Sequence, residues 1–247
     1  MSRTAFAAAL VSAALFAGPA LAHDGPLSPE RKAEIEALVR DYILQHPEVI
    51  LESVAIMQAR EDAEKNAAAK QALVDRREAL ERDPGDPVLG NPNGDVTIVE
   101  FFDYQCGYCK TMMTPLMELV KEDGNVRLVL KEFPILGPAS ETAALASLAA
   151  DRQGKYEAFH TGLLGLRGRL TAEAIFQVAL EVGLDVDKLK ADMQDPALQD
   201  QVRKSFDLAK ALSIQGTPAF TIGTHVVPGA ISKEQLAELV AEARKGG

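Results

Sequence analysis

Cys106 and Cys109 are the only cysteines in the 247-residue chain. They stand in the stretch VTIVEFFDYQCGYCKTMMTPLM, Val96 to Met117. Thiols three positions apart serve as a structural staple, as part of a metal clip or as a redox centre, and each use demands different surroundings. A bridge across so small a loop constrains the unfolded chain little and strains its own geometry. A closed zinc site takes about four ligands, and beyond the two thiols the chain offers only four scattered histidines. A Cu(I) ion held by the two thiolates with Met112 or Met113 is chemically possible; those methionines read more simply as core or groove residues. Redox chemistry accounts for the placement. An apolar run ends at Phe102 and a helical pattern follows, so Cys106 falls at the mouth of a helix. Unpaired backbone N–H groups and the helix dipole favour a thiolate there. Cys109, one turn further in, faces the same side and can attack a mixed disulfide formed at Cys106.

The flanking elements must hold that pair. Val96 to Phe102 is a nearly continuous β-branched and aromatic run, the pattern of a strand buried on both faces. A helix containing Pro115 follows, then a second strand at Val126 to Phe133, so strand–helix–strand order predicts a parallel pair with a crossover. From Pro134 to Ile214 the pattern is helical, with apolar faces at Leu145 and Leu148, at Tyr156, Phe159 and Leu163, and at Val202, Phe206 and Ala209. His160 reads as a packed helical residue. Gly183 marks a helix end. AFTIG and HVV then form a hairpin through Gly223-Thr224, and Ser232 with Gln235 makes a capping box for a last helix. The order is β-α-β, helical block, β-β-α.

Ahead of this lies a different composition. Ser28 and Pro29 open a helix, and Ile35, Leu38, Val39, Tyr42 and Ile43 form one apolar stripe at helical spacing. Pro47 interrupts it, with His46 as a cap, and Ile50, Val54 and Met57 continue it. Such a stripe is buried on its own domain or against copies of itself. The charged, alanine-rich stretch up to Arg82 reads as a spacer, which favours copies. DPGDPVLGNPNGD, residues 83–95, reads as a turn-rich linker. The first 22 residues carry Arg3, an alanine-rich apolar core and Ala20-Leu21-Ala22, the pattern of an export signal cleaved after Ala22. Export places the cysteines where disulfides persist, and His23 would start the mature chain. Without Arg3 the 26 basic residues become 25 against 36 acidic ones, which argues against nucleic acid as a partner.

VEFFDYQCGYCK after the GNPNGDV turn resembles the active-site strand and helix of the DsbA family of exported thioredoxin-like thiol:disulfide oxidoreductases. The interrupted strand order is similar to that family's fold from about Asp86 to the C-terminus. The resemblance implies an α/β thioredoxin-like fold at 96–247, with a helical insertion at about 138–212 and an N-terminal helical oligomerisation segment at 23–82. It implies a Cys106–Cys109 redox-active disulfide and a substrate-binding cis-proline, Pro218 in QGTPAF, with Thr217 before it. Gly107-Tyr108 is the dipeptide of the DsbC isomerase type rather than of the oxidase. Thr217 likewise resembles the isomerases, and its backbone would pair with an extended client strand. Glu100, six residues before Cys106, occupies the place of the family's buried acid, exchanging a proton with Cys109, and Lys131 is expected to pair with it. The alternative leaves both as edge charges in solvent. The N-terminal segment resembles that of ScsC-type relatives, which implies a homo-oligomer, a trimer by analogy. Taken together, a periplasmic isomerase or reductase of misoxidised exported proteins is expected, with a membrane thiol reductant as partner and neither metal nor cofactor. The rivals are a monomeric oxidase and a Cu(I)-binding protective protein.

Overall fold

In the computed structural model, residues 27–246 are described, so the export signal and His23 lie outside them. Ten helices and five strands are assigned among those residues. The chain divides into two units, one ending at Met57 and one starting at Gln58.

In the first unit, α1 (Pro29–Gln45) opens as expected. Ser28 accepts from the Arg31 N–H, Pro29 sits in the first turn, and the His46 N–H closes the helix on the Tyr42 carbonyl. Helix α2 (Glu48–Asp75) starts beyond Pro47 and runs on into the second unit. Ile35, Leu38, Val39, Tyr42, Ile50, Val54 and Met57 are all exposed, with Leu38 at 70%. Ile43 of the same stripe is half-buried.

The second unit is built on one five-stranded sheet of order β1-β3-β2-β4-β5. Strand β1 (Val88–Gly90) is an edge, β2 (Val96–Phe102) and β3 (Val126–Glu132) are the parallel pair, and β4 (Ala219–Ile222) with β5 (His225–Pro228) form the hairpin. The pairing of β1 corrects the reading of 83–95 as a linker. Val88 faces Val129, and the Asn91 and Asp95 N–H groups bond the Val126 and Asn125 carbonyls, so the turns belong to the sheet. The charged stretch before it is not purely a spacer either. Leu73 in α2 and Leu80 in α3 (Arg77–Glu81) are buried in the second unit.

Strand alternation splits the core in two. Val96, Ile98 and Phe102 of β2 with Leu128 and Leu130 of β3 face α4 (Gly107–Asp123), the insertion helices and α10 (Lys233–Lys245). Val99, Phe101, Val129 and Phe133 face Leu73, Leu80 and the end of α9 (Pro196–Ala211). The insertion comprises α5 (Pro138–Asp151), α6 (Tyr156–Gly165), α7 (Ala172–Glu181), α8 (Val186–Asp192) and α9, matching the helical block read from the sequence. No helix among the described residues is long and apolar enough to cross a membrane.

Candidate functional site

The two sulfurs are placed by the β2–α4 junction. Asp103 follows β2, and its carboxylate accepts from the Gln105 N–H at 2.7 Å, the Ser140 hydroxyl at 2.6 Å and the Leu136 N–H at 2.9 Å. The loop is thereby fixed on both sides, and the Cys106 N–H bonds the Asp103 carbonyl. Sequence reasoning missed Asp103. Its position just ahead of the motif was the available signal, since a short acid after a strand bonds backbone N–H groups two residues on.

Cys106 is the N-cap of α4. Its sulfur accepts from the Cys109 N–H at 3.4 Å and, as a thiol, donates to the Thr217 carbonyl at 3.2 Å. Gly107 and Tyr108 lie exposed beside it, Tyr108 at 70%. Cys109 is fully buried in the first turn. Burial pushes its thiol pKa well up, and the carboxyl of Glu100 adds to that. Glu100 is itself buried, and burial pushes its pKa up to about 8. Its carboxyl is close enough to raise the Cys109 thiol further.

Lys131 is not its partner. The parallel register sets Glu100 opposite Leu130 and Phe101 opposite Lys131, so the lysine leaves the other face of the sheet. There its ammonium bonds the Asp86 carboxylate and, at 2.8 Å, the Ala79 carbonyl, while Gln201 donates to the other Asp86 oxygen at 2.7 Å. Burial disfavours both charges, and each offsets that cost for the other. Neither Glu100 nor Lys131 points to solvent, so the alternative of edge charges is also overturned. Lys131 is an anchor between β3, α3 and α9.

The Thr217–Pro218 peptide is cis, and the Thr217 carbonyl lies against Cys106. A cavity of about 390 Å³ beside it is lined by Gln215, Gly216, Thr217 and Pro218, with Asn66 and Ala69 of α2 opposite. Met112 is buried in the core, and Met113 and Met117 line a second cavity of about 660 Å³ that neither cysteine enters. His160 is packed as expected. Its Nδ1 lies 3.0 Å from the Tyr104 hydroxyl, and burial pushes its pKa down to about 3. Tyr104 and Tyr156 both donate to Glu132, at 3.1 and 2.8 Å, closing a buried polar cluster that the sequence did not disclose.

Comparison with known proteins gives two matches to families. Residues 97–241 match the DSBA-like thioredoxin domain, and residues 32–64 match the copper resistance protein ScsC N-terminal domain. A thioredoxin-like oxidoreductase from Silicibacter pomeroyi is 48% identical, covering 69% of this chain and 99% of its own, with a TM-score of 0.68. A linker-deletion mutant of Proteus mirabilis ScsC is 26% identical over 91% of this chain and 100% of its own, also at 0.68. Among curated relatives, a Na(+)/H(+) antiporter NhaA of Salinispora arenicola is 29% identical over 65% of this chain, and the chain spans about a quarter of the antiporter's length.

Proposed function

The chain belongs to the DSBA-like thioredoxin domain family, and from that premise we propose that it is a thiol:disulfide oxidoreductase of the periplasm, mainly isomerising or reducing non-native disulfides of exported proteins. The observation that carries this reading is the asymmetry of the two sulfurs. Cys106, 6% exposed, stands at the helix mouth beside exposed Gly107-Tyr108 and against Thr217, while Cys109 at 0% lies inside with a proton-holding Glu100 near it.

Cys106 attacks a client disulfide as a thiolate. One S–S bond forms, one breaks, and the electron pair leaves on the client's second sulfur. If that sulfur attacks a second client disulfide, and the thiolate so released attacks the client sulfur bonded to Cys106, the client disulfides are rearranged and Cys106 leaves as the thiolate it began as. If it does not, Glu100 first passes its own proton to solvent and then takes the Cys109 proton, and Cys109 displaces the client thiolate to leave the Cys106–Cys109 disulfide. A membrane thiol reductant would restore the dithiol. Gly107, Tyr108, Thr217 and Pro218 would hold the client chain, the cis-proline loop through its backbone.

The isomerase emphasis is supported by the Gly-Tyr dipeptide, by Thr217 and by the N-terminal helices. Their exposed stripe and their match to the ScsC N-terminal domain favour a homo-oligomer, a trimer by analogy. Several centres around one space let a client be engaged repeatedly. The test is reactivation of scrambled ribonuclease by the full mature chain beside one starting at Gln58. The cut belongs there because Leu73, Ala79 and Leu80 serve the catalytic unit. Reactivation by the full chain alone, with both versions reducing a small protein disulfide equally, is the expected result. Equal behaviour of both versions would turn the reading towards a monomeric oxidase. Stoichiometric Cu(I) retention without turnover would turn it towards copper protection.

A further inference from the structure

Thr217 has an unusual pair of backbone groups. Its N–H has no hydrogen-bond partner among the described residues, and its carbonyl is held by the Cys106 thiol at 3.2 Å. Gln215 and Gly216 also have N–H groups without a partner among the described residues, but neither of their carbonyls meets a cysteine. Pro218 has no N–H, and its carbonyl already accepts from Gly229; the Ser213 and Ile214 N–H groups are tied back to the Lys210 and Ala209 carbonyls. An extended chain pairs with a strand residue through both its N–H and its carbonyl. At Thr217 the first is open and the second is occupied by the nucleophile.

We propose that a client segment docking on Thr217 takes the carbonyl away from the Cys106 thiol, so that docking itself releases the nucleophile. This rests on the client-strand reading given above and adds a gate to it. Before docking, the S–H is spent on the Thr217 carbonyl at 3.2 Å, and a sulfur without its proton would face that oxygen's lone pairs. On docking, a client N–H replaces the S–H as donor to the carbonyl. The thiol turns to water and gives its proton to a solvent base, and the sulfur keeps the Cys109 N–H as its donor. The thiolate then attacks, forming one S–S bond and breaking another, and the departing client sulfur takes a proton from solvent. The charged groups flanking the motif are engaged elsewhere. Asp103 is tied to Ser140 and the Leu136 N–H, Lys110 bonds the Leu166 carbonyl, and Glu100 lies with Cys109 behind the site.

The gate defines a substrate class: extended polypeptide with a free N–H beside the disulfide, in preference to small disulfides that have no backbone to pair. A client residue meeting Thr217 cannot be proline. The test uses the reduced full chain and a short extended peptide with serine in place of cysteine and no aromatic residue. Binding is followed by calorimetry, and the thiolate by its ultraviolet absorbance, between pH 5 and 7. The expected result is an about fivefold rise in the thiolate-to-thiol ratio at saturation, the worth of one hydrogen bond. In a scan of backbone N-methylated peptides, one position should lose both binding and the rise. Binding with unchanged absorbance overturns the gate and leaves the client-strand reading standing. No binding by any peptide overturns both.

Discussion

Glu100 is a buried carboxyl whose ionisation has a cost set by its surroundings. A glutamate in an unfolded chain ionises near about 4.3, whereas here burial raises the value to about 8. Between those values the native chain holds a proton that the unfolded chain has lost, so stability falls as pH rises through this window. Glu100→Gln removes that fall. Urea unfolding of the reduced proteins at pH 5 and pH 8.5 should show the variant gaining on the parent by on the order of 3 kcal/mol at the higher pH. The same variant should prolong the mixed disulfide at Cys106 by about 100-fold, the lower end of general acid–base contributions, as read by quenching and trapping the covalent complex. An unchanged lifetime would remove Glu100 from the chemistry. At this scale the spacing of Cys106 and Cys109 was plain in the sequence, and the family resemblance pointed to Glu100 six residues before Cys106. The partner of Lys131 was hidden, since it depends on which residue of the neighbouring strand stands opposite, and register is not written in either strand alone.

Among the elements, the Lys131–Asp86 pair joins the chain before β1 to β3, with Ala79 of α3 and Gln201 of α9 completing it. Removing one charge strands the other. Lys131→Met should cost about 3–5 kcal/mol, and adding Asp86→Asn should recover much of it. Reduction of insulin by the folded double variant should match the parent, because the pair leaves the sheet on the face away from the sulfurs. Altered exchange in a fully folded double variant would return Lys131 to the catalytic group. Strand β1 was illegible for a related reason. Three residues among Pro, Gly and Asn carry no period, whereas β2 and β3 announce themselves by seven continuous buried positions each. Its end is tightly fitted. Gly90 has φ +70°, and a Cβ there would stand 2.4 Å from Val120 Cγ1 and 2.7 Å from the Val126 carbonyl oxygen. Gly90→Ala should therefore destabilise the fold by roughly 1–3 kcal/mol in denaturant titration.

For the whole molecule, the stripe on α1 and the start of α2 is the surface on which the proposed assembly is tested. Leu38→Glu with Tyr42→Glu should convert an associated species to a monomer in sedimentation, with the catalytic unit still folded; persistence of the larger species would place the interface elsewhere. The stripe itself was plain in the sequence at helical spacing, and so was the interrupted strand order. What no periodicity could reveal is how the sheet divides its duties. The core against α4 and the core against α3 and α9 share no buried side chain. Changes in cores without shared partners add rather than interact. Lineages of this fold are therefore free to retune how α3 and α9 seat on the sheet while the sulfur chemistry stands still, or the reverse. Mutational drift on one side would leave no compensating trace on the other.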